Sequence, residues 1–76
     1  MSVAALQQIE AEGPSLISEA AARLPAKALA RRTGLTPRHI YALRAGEHQP
    51  GWAAFVALAQ ESPELRSAVA RWLGLA

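Results

Sequence analysis

The stretch Leu29-Ala30-Arg31-Arg32-Thr33-Gly34-Leu35-Thr36-Pro37-Arg38-His39-Ile40 decides the fold. It holds a helix end, a turn and a helix start in quick succession. Gly34 sits where a helix ends, because a residue without Cβ takes positive φ at no steric cost. Thr36–Pro37 starts the next helix. The Thr hydroxyl caps free amides, and Pro at the first helical position has no N–H to lose. Working outward, one helix reaches back to about Ala26 and ends at Thr33, with Leu29 and Ala30 inward. The other runs from Pro37 to about Ala45 and stops at Gly46, with Ile40 and Leu43 inward. Two helices joined this tightly need a small residue at their crossing, a residue free to take positive φ, and a branched apolar anchor. Ala30, Gly34 and Ile40 supply these in order, which is the pattern of a helix-turn-helix.

The rest of the chain reads as helical too. It is rich in Ala, Leu, Arg, Glu and Gln and poor in β-branched and aromatic residues. Val3 to Glu12 predicts a short N-terminal helix that frays as termini do, with Gly13–Pro14 ending it. Ser15 then caps a second helix with Leu16, Ile17, Ala20, Ala21 and Leu24 at core spacing, and Pro25 breaks the chain or sits at the first turn of the next helix. A further helix is expected over residues 51–60, with Trp52, Phe55, Val56 and Ala59 as its apolar set. A last one covers 63–73, opened by Ser62–Pro63 and closed by Gly74, with Leu65, Val69, Trp72 and Leu73 on one side. The expectation is an all-α fold: one domain over residues 1–76, a compact bundle of about five short helices.

The 76 residues hold no cysteine, so no disulfide staples the fold and no thiolate serves as ligand or nucleophile. That composition fits a cytoplasmic protein. No basic region precedes Arg23, as a signal peptide requires, and no apolar run approaches the length of a membrane span. The net charge of +2 is modest, but its distribution is uneven. Arg23, Lys27, Arg31, Arg32, Arg38 and Arg44 fall between Ala20 and Gly46, where no acid occurs. Glu10, Glu12, Glu19, Glu47, Glu61 and Glu64 all lie outside. Such a window attracts a polyanion, or is simply a solvated basic face.

Here the sequence resembles a known family. Leu29 to Thr36, then Ile40, Gly46 and Pro50, are similar to the lambda-repressor and Cro type of helix-turn-helix, the XRE family. Arg44 to Pro50 resembles the loop after that family's recognition helix, and Leu58–Ala59 its fourth helix. The likeness covers about Leu16 to Gln60 and is specific through the joint spacing of Ala30, Gly34, Ile40, Gly46 and Pro50. It implies a lambda-repressor-like fold and sequence-specific binding of double-stranded DNA by a small transcriptional regulator of phage or mobile-element type. Two positions depart from the pattern. Ala26 stands where a phosphate-binding Gln is common, with Lys27 able to substitute. Leu43–Arg44 replaces a common Trp–Glu pair, which makes Arg44 an extra phosphate contact or part of an altered internal ion pair.

Helical geometry sorts the remaining side chains. Arg38 and Ala42 lie opposite Ile40, flanked by Tyr41 and Ala45. In this motif the N-terminal end of the recognition helix enters the major groove. Arg38 is therefore the principal base reader, aimed at guanine O6 and N7, and Tyr41 and Ala42 complete the base-contacting set. Thr36, Lys27, Arg31, Arg32, His39, Arg44, His48 and Gln49 are the expected backbone contacts. Arg31 and Arg32 are adjacent, so only one of them faces DNA well. His39 touches DNA or is a partly buried neighbour of the first helix, and Tyr41 could instead pack on the scaffold. Trp52 and Trp72 lie outside the basic window and read as core or interface.

No catalytic constellation is present. The chain has no Asp, no phosphate-cradling glycine loop, and only two His, which with no cysteine makes a metal site improbable. No enzyme activity and no cofactor are expected. The expected partners are DNA, a second copy of the chain on an inverted repeat, and RNA polymerase. The dimer seam is expected on the C-terminal helix, through Leu65, Val69, Trp72, Leu73 and Leu75, with Val3, Leu6 and Ile9 as a second candidate. The rival reading is a protein-interaction module of antitoxin or antiactivator type, with the helix-turn-helix as scaffold.

Overall fold

The computed structural model describes residues 2–75. They form five helices and no strand: α1 (Val3–Ala21), α2 (Ala26–Thr33), α3 (Pro37–Ala45), α4 (Trp52–Glu61) and α5 (Pro63–Trp72). Three of the helices open on a hydroxyl cap. The side chains of Ser2, Thr36 and Ser62 accept from the amides of Ala5, His39 and Leu65 at 3.1, 3.1 and 3.2 Å. The caps expected at Thr36 and Ser62 are thus present, each followed by a Pro in the first turn. Gly34, at φ 78°, closes α2 with its N–H on the Ala30 carbonyl at 2.9 Å. The Thr33 hydroxyl locks the same turn, donating to the Leu29 carbonyl at 2.7 Å and accepting from the Leu35 amide at 3.2 Å.

One apolar core joins all five helices except at their outer faces. Its buried members are Ile17, Ala20 and Ala21 from α1, Ala26 and Leu29 from α2, Ile40 and Leu43 from α3, Leu58 from α4 and Leu65 from α5. Leu16, Leu24, Ala30, Leu35, Phe55, Ala59 and Val69 pack around it. Leu29, Ile40 and Leu43 are buried as expected; Ala30 is half-buried against the core, and Ala26, not among the expected inward residues, is buried. α1 packs against α3, α4 and α5, and α2 against α3 and α4, which gives a compact globule.

Three expectations need correction. The first concerns Gly13–Pro14, which does not end a helix; α1 runs through it without a break. A Pro inside a helix loses one hydrogen bond and crowds the preceding residue's Cβ. Here the preceding residue is Gly13, which has none, and Pro14 and Glu10 are both exposed, so the orphaned Glu10 carbonyl meets water. Next to Gly13, Arg71 of α5 meets Glu12 at 3.5 Å. Ser15, expected as a cap, lies mid-helix, its hydroxyl donating to the Glu12 carbonyl at 3.3 Å.

The second correction concerns the seam expected on the last helix. Leu65 is 0% exposed and belongs to the core of its own chain, so it cannot meet a partner. Val69 packs on that core and Trp72 is half-buried; only Leu73 and Leu75 of the set are exposed. The third concerns α4, whose inward residues are Ala54 and Leu58, with Phe55 and Ala59 half-buried. Trp52 and Val56 point outward.

A Pro inside a helix is about 3 kcal/mol less favourable than Ala, and the missing Cβ of Gly13 relieves part of that here. Pro14→Ala should therefore stabilise the protein by about 2 kcal/mol in urea unfolding. An unchanged midpoint would restore the break at Gly13–Pro14.

Candidate nucleic-acid interface

α3 positions the side chains around which the site is built. Ile40 and Leu43 sink into the core, so the opposite side of the helix must face outward. Thr36, Arg38, His39, Tyr41, Ala42, Glu47 and His48 line one open groove of about 580 Å³. All three expected base readers, Arg38, Tyr41 and Ala42, lie on it, together with Thr36, His39 and His48. His39 is half-buried and lines the groove. Gln49 is exposed in the α3–α4 connection but does not line the groove. Lys27 and Arg31 are exposed on α2, the helix that packs on α3.

Glu47 is the groove residue that sequence reasoning missed. Its signal was available. Gly46 takes φ 72° and ends α3 in a Schellman turn, with the Glu47 N–H on the Ala42 carbonyl at 3.1 Å and the Gly46 N–H on the Leu43 carbonyl at 3.2 Å. That turn folds the chain back, bringing Glu47 and His48 beside the helix face that carries Arg38 and Ala42. A carboxylate there repels phosphate and can accept from an exocyclic amine such as cytosine N4.

Arg44 is neither a free phosphate contact nor part of an ion pair. Its Nε donates to the Ala21 carbonyl at 2.7 Å and a terminal nitrogen donates to the Leu24 carbonyl at 2.6 Å. These carbonyls belong to the end of α1 and the connection after it, where a helix leaves acceptors without partners. A guanidinium suits that position, since cations are favoured at a helix C-terminus. The same guanidinium lies 5.2 Å from the centre of the Tyr41 ring, a cation–π distance that holds the ring from one side. Arg32 is also committed elsewhere, in an ion pair with Glu61 of α4. Of the adjacent pair on α2, Arg31 is thus the one without an internal partner.

The other cations follow the same division. Arg23 pairs with Glu64, Arg71 with Glu12, and Arg66 donates to the Ala59 and Gln60 carbonyls at 2.9 and 2.7 Å, closing the end of α4. Among the described residues, Lys27, Arg31 and Arg38 alone of the Lys and Arg side chains make no salt bridge and no side-chain hydrogen bond. No cluster of three or more His, Cys, Asp or Glu suited to a metal ion occurs among those residues, and no helix among them is long and apolar enough to cross a membrane. Comparison with models of known families, with curated proteins and with solved structures returns no match.

Hydrogen bonds from a charged group contribute about 1.5–3 kcal/mol each, and losing this one leaves two carbonyls unpaired. Arg44→Ala, which breaks two such bonds, should lower unfolding stability by about 3 kcal/mol or more in urea. Arg44→Lys keeps the charge but not the two-carbonyl reach, and should recover less than half. If Arg44→Ala unfolds at the wild-type midpoint, the guanidinium is not the tie described.

Proposed function

We propose that α2 and α3 form a helix-turn-helix and that the protein binds double-stranded DNA as a small transcriptional regulator, related in design to the lambda-repressor and Cro type. One observation carries this reading: the cations with no internal partner, Lys27, Arg31 and Arg38, all belong to α2 and α3. Of the other basic side chains, Arg23, Arg32 and Arg71 meet carboxylates and Arg44 and Arg66 meet backbone carbonyls, so the cations uncommitted within the fold lie on the two helices joined at Gly34. A DNA duplex is the polyanion whose major groove admits a helix.

The roles follow from position. Arg38, in the first turn of α3 and on the open groove, reads guanine O6 and N7. Tyr41, 58% exposed and steadied by Arg44, presents its hydroxyl to a base edge or phosphate. Ala42 leaves room for close approach. Lys27 and Arg31 contact phosphates from α2, and Thr36, His39, His48 and Gln49 add neutral contacts around the groove. Two copies on an inverted repeat would set their α3 helices in successive major grooves, about 34–36 Å apart. Occupying an operator, or touching RNA polymerase from it, is then sufficient for regulation in the cytoplasm. This scheme needs no metal, cofactor or catalytic step.

The electrostatic term should be small. Two backbone cations per copy give a slope of log K against log salt of about −2 per copy, at roughly −0.9 per neutralised phosphate. Fluorescence anisotropy on duplexes enriched by in vitro selection tests both parts. Arg38→Ala should relax preference at one base position, losing about 1–3 kcal/mol of discrimination there. Lys27→Ala should weaken binding evenly on all duplexes and reduce the salt slope by about 1. Absence of binding to any duplex at low salt would overturn the proposal. Identical losses for both variants on every sequence would overturn the division of roles.

A further inference from the structure

Glu47 is the one acid in a groove whose other lining side chains, Thr36, Arg38, His39, Tyr41, Ala42 and His48, are neutral or basic. Glu12, Glu61 and Glu64 each meet an Arg within the fold. Among the described residues Glu47 makes no salt bridge and no side-chain hydrogen bond, although Arg38 lines the same groove. Glu10 and Glu19 are unpaired too, but both lie on α1, outside the groove. The position of Glu47 is set by its backbone. Gly46 takes φ 72°, and the Glu47 N–H donates to the Ala42 carbonyl at 3.1 Å. The side chain takes no part in that turn and is exposed.

A free carboxylate in this place has one use on a duplex. When ionised it only accepts hydrogen bonds, so a phosphate offers it nothing. The donors that DNA presents in the major groove are the exocyclic amines, cytosine N4 and adenine N6. Adenine sets its N7 lone pair beside the amine, which repels a carboxylate. Cytosine has no acceptor there. Arg38 is the converse, a group that only donates and suits guanine O6 and N7.

We infer that Glu47 is a second specificity-determining residue, accepting a hydrogen bond from the N4 amine of a cytosine in the major groove. This role rests on the DNA reading above and names a further base that the groove selects. Its register follows from α3. Ala42 lies one turn beyond Arg38, about 6 Å along the axis at roughly 1.5 Å per residue, and Glu47 is held beside Ala42. With base steps of about 3.4 Å, the cytosine falls roughly two base pairs from the guanine. Ala42, between the two readers, leaves room for the base edges. On duplexes without that cytosine the carboxylate meets only acceptors and weakens binding.

Fluorescence anisotropy of the full chain, on a duplex obtained by in vitro selection and on its single-base variants, tests this contact. The turn uses the Glu47 amide, so Glu47→Ala should keep a wild-type circular dichroism spectrum. The wild type should favour cytosine at one position by about 5- to 150-fold. Glu47→Ala should lose that preference, keep the guanine preference carried by Arg38, and bind duplexes lacking the cytosine at least as tightly as the wild type. N4-methylcytosine at the same position is the sharper probe. The methyl replaces the groove-facing N–H and leaves the pairing one, so the wild type should weaken by a similar factor and Glu47→Ala should not respond. A Glu47→Ala variant that changes affinity by one factor on every duplex overturns the cytosine contact and leaves the DNA reading standing. So does N4-methylation that weakens both proteins equally, or a relaxed position that holds adenine. A wild type that binds no duplex at low salt removes the DNA reading, and this contact with it.

Discussion

The placement of α3 depends on one guanidinium as much as on the apolar core. Ile40 and Leu43 hold the helix from within, but apolar contacts tolerate rotation and sliding because they carry no direction. Arg44 adds direction. Its bonds to the Ala21 and Leu24 carbonyls fix the last turn of α3 against the end of α1 and the connection to α2. Those carbonyls would otherwise face a partly buried space without donors. The guanidinium therefore satisfies a helix end and orients a neighbouring helix at once, and the face bearing Arg38, Tyr41 and Ala42 follows from that orientation. Tyr41 is tied to the same group through its ring, so the rigidity reaches the outer surface.

The use of Arg44 within the fold has a wider counterpart. Arg23, Arg32, Arg66 and Arg71 are likewise held by carboxylates or by helix-end carbonyls. Exposed pairs of this kind contribute little stability individually, on the order of 0–1 kcal/mol. Their effect on the field is larger than their effect on stability. The carboxylates beside Arg23, Arg32 and Arg71 offset three of the positive charges, and the cations with no internal partner, Lys27, Arg31 and Arg38, lie on α2 and α3, a distribution that the net charge of +2 does not reveal. Glu47 works against that charge within the groove itself. Its carboxylate lines the same groove as Arg38 and offsets part of the positive charge there.

What the sequence disclosed, and what it hid, divides by range. Gly34, Gly46, Thr36–Pro37 and Ser62–Pro63 act on amides and carbonyls within a few residues, and the boundaries of α2 and α3 could be read from them directly. The inward positions of Leu29, Ile40 and Leu43 follow from helical period alone. Arg44 could not be read this way, because its acceptors lie 20 and 23 residues upstream and are backbone atoms, which leave no mark in a side-chain pattern. Arg32 was hidden likewise, its partner Glu61 being 29 residues away. At Pro14 the local signal was real, but Gly13 before it has no Cβ for the ring to crowd, so the helix runs on. The groove was largely legible, since six of its seven lining residues follow from the face opposite Ile40 and from the loop after Gly46; Glu47 was masked by being counted only as an acid outside the basic window.

The same distinction bears on how so short a chain manages its apolar residues. A chain of 76 residues cannot enclose every large side chain, and the helices resolve this differently. α5 turns Leu65 fully inward and covers its outer side with Glu64, Arg66 and Arg71. α4 buries only Ala54 and Leu58 completely and leaves Trp52 and Val56 in solvent. An apolar set on one helix is therefore no guide to which members reach the core, because three or four consecutive apolar residues must span more than one side. In α5 the charges mark the outer side unambiguously. In α4 nothing marks it, so the choice between core and surface is made by the neighbours: α1, α2 and α5 approach the Leu58 side, and the Trp52–Val56 side is left open.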